Sequence, residues 1–286
     1  MIRYFINKFN SITGIVERKY ISSDLTTSDI AFQAAKNAIK DANIDSETLD
    51  YIIVAHNFGD ITCNSKQVDT LPSLASRVKA KLKIKNPECV AYDILFGCPG
   101  WVEGMIQAHA FMKAGMAKKC LVIGADTLSR TVDKNDRDSL IFADGAGAAI
   151  VEKSEDEGGI LSHKSATFTF DGENDFIFYG TSYDTKARAK SDQKFIKMQG
   201  RKVYEFALKN VPLATKDDIC VYQGHENPLK CEKTTGLNMG PSIDGTPGSP
   251  NSMFMFANNK SSPSCCPSTF STSTGCVCTT QQQRDY

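Results

Sequence analysis

The stretch "YDILFGCPGWVEGMIQAHAFMKAGMAKKCLVIGAD", residues 92 to 126, decides the fold. It begins in an apolar run that reads as a strand, continues from about Trp101 as a helix, and ends from Lys119 to Asp126 as a second strand. A strand, a crossover helix and a further strand imply a βαβ unit with parallel neighbours in one sheet. Between the first strand and the helix stands Phe96-Gly97-Cys98-Pro99-Gly100. Glycines permit an abrupt bend, and Pro99 suits a first helical position because its missing N–H costs no bond there. A thiol at this bend lies near a helix N-terminus, whose unpaired amides and dipole favour thiolate over thiol. The shape is that of a nucleophile elbow with sulfur in place of oxygen, and it sets a backbone N–H beside the nucleophile. A small, buried structural cysteine is the competing reading of the same residue.

The alternation extends to both sides. Upstream, "TTSDIAFQAAKNAIKDANI" has helical spacing behind a capping Thr27 or Ser28, "DYIIVAHN" reads as a short strand, and "LPSLASRVKAKLKI" reads as a helix with Pro72 in its first turn. Downstream, "SLIFADGAGAAIVEKS" reads as a strand pair or a bend pivoting on glycine, and "GILSHKSATFTFDG" as a strand. "KMQGRKVYEFALKNVPLATKDDI" reads as a helix with Val203, Phe206, Ala207 and Val211 on its apolar face. The fold class is α/β with a largely parallel sheet. Residues 1–152 form one half, residues 153–219 begin a second, and residues 220–286 are a tail rich in Ser, Thr, Pro and Cys.

A chain of 286 residues with 41% hydrophobic and 23% charged side chains is a globular protein with material for a real core. Its 33 basic and 33 acidic residues balance, so no basic field points to nucleic acid or an anionic membrane surface. No run of 18 apolar residues and no cleavable leader is visible, which makes the cytoplasm the expected location. "DGAGAA" lacks the spacing of a phosphate loop, and the tail cysteines lack the paired spacing of a zinc site, so no metal is expected. His56, His109 and His163 read as satisfied structural histidines.

The quoted stretch, followed by "DRDSLIFADGAGAAIVEKS", resembles the β-ketoacyl-acyl-carrier-protein synthase III family of thiolase-like condensing enzymes. "ITGIVERKY" is similar to the family's Thr-Gly-Ile-x-x-Arg segment and "MQGRKVYEFAL" to its later helix; the likeness is collinear over residues 11 to 215. The resemblance implies a layered α-β-α-β-α fold of two βαβ-rich halves, the second incomplete here. It implies a decarboxylative Claisen condensation in fatty-acid synthesis, with Cys98 accepting the acyl group of a coenzyme A thioester and malonyl-acyl carrier protein as the second substrate. No cofactor is implied beyond these thioesters; acyl carrier protein and a second copy of the chain are the implied partners. Leu71 matches a family residue near the dimer interface that borders the partner's acyl pocket. Arg137 matches an Asp-Arg segment near the entrance, where a guanidinium can hold a phosphate. A polyketide-type or hydroxymethylglutaryl-type synthase shares the cysteine elbow and is an alternative.

The family's His-Gln-Ala-Asn and Gly-Asn-x-Ser segments are not found. The nearest string is "VYQGHENPLK", where His225 is the candidate donor to the enolate oxygen. Past residue 219 the periodicity stops, and six of the ten prolines and six of the ten cysteines follow. Disorder is one reading of that composition, and a shifted reading frame explains its abruptness. A chain that at most acylates itself is therefore the second functional expectation.

Overall fold

A computed structural model describes residues 9–10, 13–65, 67–154, 160, 162–190 and 192–222, together with residues 261–262, 271–272 and 275–277. The chain divides into two compact units, one formed by Met1–Ile160 and Thr167–Gly200, the other by Leu161–Ala166 and Arg201–Tyr286.

The first unit is built on a four-stranded sheet of β1 (Tyr51–Ala55), β2 (Val90–Ile94), β3 (Lys119–Thr127) and β4 (Asp144–Glu152) in the order β2-β1-β3-β4. β2, β1 and β3 are parallel, and β4 runs antiparallel to β3 from Lys119↔Glu152 to Thr127↔Asp144. Helices α1 (Thr27–Asp41), α2 (Leu74–Leu82) and α3 (Gly100–Lys113) alternate with the strands. Side chains alternate across each strand, and here both faces are covered. Ile52, Val54, Leu121 and Ile123 pack with Ala31 and Ala35 of α1 and Leu74, Ala75 and Val78 of α2. Ile53, Ala55 and Val122 face the other way, with Ala108 and Met112 of α3. The result is three layers, helix on sheet on helix.

Several details differ from the sequence reading. α1 is capped by Thr26, whose N–H donates to the Asp29 carboxylate at 2.8 Å, while Thr27 and Ser28 are buried within the helix. α2 begins after Ser73, whose hydroxyl accepts from the Ser76 N–H, so Pro72 lies outside the helix and the Leu71–Pro72 bond is cis. Residues 137–141 form a 3₁₀ turn, and "DGAGAAIVE" is one continuous edge strand, not a bend.

A hairpin of β5 (Ile177–Thr181) and β6 (Lys194–Met198), with the short helix α4 (Thr185–Lys190) between them, also belongs to the first unit. Residues 162–169, expected as a strand, have no regular structure, and the two hairpin strands were not expected. The hairpin joins the loop after β3: the Ile196 N–H donates to the Thr131 carbonyl at 2.9 Å, and Lys197 Nζ meets Asp133 at 2.7 Å and Asp136 at 3.1 Å.

In the second unit, α5 (Gly200–Tyr222) carries Pro212 inside it, and Val203 and Phe206 are half-buried whereas Ala207 and Val211 are exposed. The strand residues 261–262, 275–277 and 271–272 pair antiparallel. The hairpin thus groups with the sheet, while Leu161–Ala166 group with the second unit.

Candidate active site

Gly97 has φ +72°, a conformation that strains any side chain, and it turns the chain out of β2. Pro99 caps α3 and Gly100 is its first residue, with the Gly100 N–H donating to the Gly97 carbonyl at 3.0 Å. Cys98 therefore stands one residue before the cap. Small residues let α3 press on the sheet: a Cβ on Gly104 would come within 2.8 Å of Val122 Cγ1. The bend carries Cys98 to the C-terminal ends of the parallel strands, where open α/β sheets place their sites.

Cys98 is a free, exposed thiol. It opens into a cleft of about 320 Å³ lined by Ala55, Trp101, the β3 end Gly124 to Asp126, and the β4 start Ala143 to Gly147. Two carboxylates, Asp126 and Asp144, line this cleft, and among the described residues no Lys, Arg or His does. Asp144 is fully engaged, accepting from the Ile21 and Ser129 amides and the Ser129 hydroxyl at 2.7–3.0 Å. Asp126 Oδ1 accepts from the Asn57 N–H at 2.9 Å and Oδ2 from Asn57 Nδ2 at 2.6 Å.

The helix N-terminus was expected to depress the Cys98 thiol. Instead, desolvation within the cleft pushes it up, the Asp126 carboxylate adds to the rise, and the Cys98 backbone N–H opposes both. The physical reason is local. Pro99 has no N–H to give and the Gly100 N–H is already taken, so two of the amides nearest the sulfur are lost to it. Asp126 is itself pushed up by burial, against which the Asn57 amides pull it down.

Behind the elbow lies a second set of polar groups, of which the sequence reading named only His56, as a satisfied structural histidine. His56 is buried; its Nδ1 accepts from the Gly59 N–H at 2.9 Å, and its Nε2 donates to Asp93 Oδ2 at 3.0 Å. Asp93 also accepts from the Leu74 and Ala75 amides at 2.7 and 2.8 Å. Burial alone would raise Asp93, but His56 and these amides hold it below the usual carboxylate range. The dipeptide His56-Asn57 at the end of β1 thus reaches sideways to acids at the ends of β2 and β3. A partial signal was present in sequence: polar residues at or one before the ends of apolar strands in "VAHN", "YDIL" and "GAD", although their pairing was not.

Of the other candidates, Leu71 is 84% exposed and does not line the cleft. Its loop is clamped by Arg77, which donates to the Leu71 and Pro72 carbonyls at 2.9 Å and pairs with Asp60 and Asp69 at 2.7 Å. Arg137 is exposed, 3.5 Å from Asp138, and also lies outside the cleft lining. His225 lies outside the described residues.

The family signature described as 3-oxoacyl-[acyl-carrier-protein] synthase III matches residues 92–168, which span the elbow, β3 and β4. A β-ketoacyl-[acyl-carrier-protein] synthase III of Oceanobacillus iheyensis is 32% identical over 260 residues, 87% of this chain and 75% of that protein. The chain belongs to the β-ketoacyl-[acyl-carrier-protein] synthase III family. A Vibrio vulnificus relative of the same description is 38% identical over 76% of this chain and 64% of its own length. The chain therefore spans less than two thirds of that relative. The solved 3-oxoacyl-[acyl-carrier-protein] synthase III of Aquifex aeolicus superposes with a TM-score of 0.61 at 30% identity, covering 76% of this chain and 63% of the other. The fold is accordingly the thiolase-like fold of this family.

Proposed function

We propose that the chain takes an acyl group onto Cys98 from a coenzyme A thioester and passes it to a malonyl unit on acyl carrier protein, in fatty-acid synthesis. The observation that carries this reading is an exposed thiol on a glycine-permitted strand-to-helix turn, opening into a cleft. Cys98 Sγ attacks the thioester carbonyl, the new C–S bond forms as the coenzyme's C–S bond breaks, and the thiol proton leaves with coenzyme A. Exchange of one thioester for another is nearly isoenergetic, so storage on the protein divides a three-body reaction into two simpler steps. The malonyl group then loses CO₂, its carbanion attacks the acyl carbonyl, and the Cys98 sulfur leaves with the bonding pair. Two thioesters supply all the chemistry, so no cofactor is needed. Acyl carrier protein and a second copy of the chain are the proposed partners, and the cytoplasm the proposed location; among the described residues no helix is long and apolar enough to cross a membrane.

One observation favours a narrower reading. Among the described residues the cleft lining holds no imidazole or side-chain amide that could stabilise an enolate oxygen, and acylation of Cys98 needs none. Supplying acyl-coenzyme A with malonyl-acyl carrier protein and following the β-ketoacyl product separates the two. Product formation supports the full condensation; acyl-Cys98 without product supports self-acylation alone.

A further inference from the structure

Small residues stand beside Cys98 in a definite register. β3 and β4 pair Gly124 with Gly147, Ala125 with Ala146 and Asp126 with Gly145, and all six line the cleft. Side chains alternate across a strand, so Gly124, Asp126, Gly145 and Gly147 share the face that Val122 turns to α3. Three of those four are glycines, which sinks a trough into that face, about 7 Å long over the two residues from Gly124 to Asp126. Trp101 forms its wall. The indole is seated on Gly124, where a Cβ would come within 3.1 Å of Trp101 Cβ and 3.5 Å of the ring. Trp101 is nonetheless 38% exposed, an apolar ring held at the edge of a cleft that it shares with the thiol three residues earlier. A group bonded to Cys98 Sγ and lying in that cleft has an indole on one side and glycine backbone below it.

We propose that Trp101 determines specificity for the acyl group: its indole is the platform on which the first methylenes of a straight aliphatic chain on Cys98 lie, so that primers longer than acetyl are preferred. The inference rests on the proposed acylation of Cys98, but its test does not need turnover. Contact between methylenes and an aromatic face is favoured by the water that both lose. Full burial of one methylene is worth about 4-fold in a rate or an affinity, and a trough that covers about half of it leaves about 2-fold. A chain that lays about four methylenes along the trough therefore gains on the order of 10-fold.

The full chain is treated with methyl methanethiosulfonate and, separately, with the hexyl reagent. The Cys98 sulfur attacks the alkylthio sulfur, a disulfide forms, and methanesulfinate leaves with the bonding pair. The rate at Cys98 is read by peptide mass mapping, with N-acetylcysteine amide as the reference thiol. Relative to that reference, the hexyl-to-methyl ratio at Cys98 is expected to be about 10-fold higher. Trp101→Ala brings the ratio to within about 2-fold of the reference, and Trp101→Phe keeps most of the gain. The methyl reagent is the internal control, since a disturbed elbow changes both rates and leaves their ratio. Trp101 is the chain's single tryptophan, so its emission reads the contact in the unaltered protein. Hexyl on Cys98 moves that emission to shorter wavelength as the ring loses water, methyl leaves it in place, and Cys98→Ala treated alike shows no shift. A ratio equal to the reference, a ratio that Trp101→Ala leaves unmoved, or an unmoved emission overturns the platform. Acylation by acyl-coenzyme A together with an unmoved ratio sinks the platform alone; a raised ratio that Trp101→Ala removes, without any acylation, sinks the proposed function alone.

Discussion

The four-stranded sheet and the β5–β6 hairpin belong to one compact unit, yet opposite forces hold them. The sheet is held by apolar side chains on both faces, many with no exposed surface at all. The hairpin is held by charge. Lys197, 2% exposed, lies between Asp133 and Asp136 and sits 3.9 Å above the Tyr183 ring, while the Tyr183 N–H and Ser182 hydroxyl complete the Asp133 carboxylate. The aromatics of the hairpin, Phe178 and Tyr179, are only about half covered, Tyr179 by the edge of Phe58. Apolar burial tolerates repacking by neighbours, whereas a buried ion pair stripped of one partner leaves a charge with nothing to solvate it.

Predictions follow from this contrast, the largest first. Lys197→Met strands two buried carboxylates and should cost about 3–5 kcal/mol, seen as lost hydrogen-exchange protection from Ile177 to Met198 while β1 and β3 stay protected. Equal protection in both regions would dissolve the contrast. Leu121→Ala, at a fully buried site, should cost about 2–5 kcal/mol and lower the unfolding midpoint of the sheet and hairpin together. Acid provides a third separation. Burial alone would raise Asp133, but Lys197 and the Tyr183 and Asn135 amides bring it from 3.8 down to about 2. Because the folded value is depressed, this stabilisation is complete above the unfolded value and is lost as pH falls from about 4 to about 2. It is worth on the order of 2 kcal/mol. The hairpin should therefore open in that window before the sheet does, as followed by Tyr179 and Tyr183 fluorescence against far-ultraviolet circular dichroism. The smallest effect is expected from Gly104→Ala. Its Cβ would meet Val122 Cγ1 at 2.8 Å, a cost of about 1–3 kcal/mol that better helix propensity offsets by about 1 kcal/mol.

The same contrast explains what was legible in the sequence. β1, β2, β3 and α1 to α3 are written in apolar periodicity, and the elbow is written in Gly97, which adopts its φ of +72° without strain. The hairpin was missed because its attachment lies in Lys197, Asp133 and Asp136, which read locally as surface charges and become buried only through contacts 61 and 64 residues apart. β4 was read as a strand pair or a bend because its glycines suggest a turn, although β3 supplies a nine-residue partner for one continuous strand. In the site, Cys98 was legible from its turn. Asn57, Asp93 and Asp126 were not, since their pairing depends on the strand order β2-β1-β3, which periodicity does not give. The direction of the thiol's shift was misjudged for a similar reason: desolvation in the cleft, joined by Asp126, 28 residues further along the chain, outweighs the backbone N–H beside the sulfur.

The most direct test of the central claim is the intact mass of the full chain after incubation with acetyl- and longer acyl-coenzyme A, beside Cys98→Ala. An acyl-sized gain that is present in the wild type, absent in the variant, and faster as pH rises toward the elevated thiol range is the predicted result. A folded wild-type sample that gains no acyl mass, or a Cys98→Ala sample that gains as much, contradicts it.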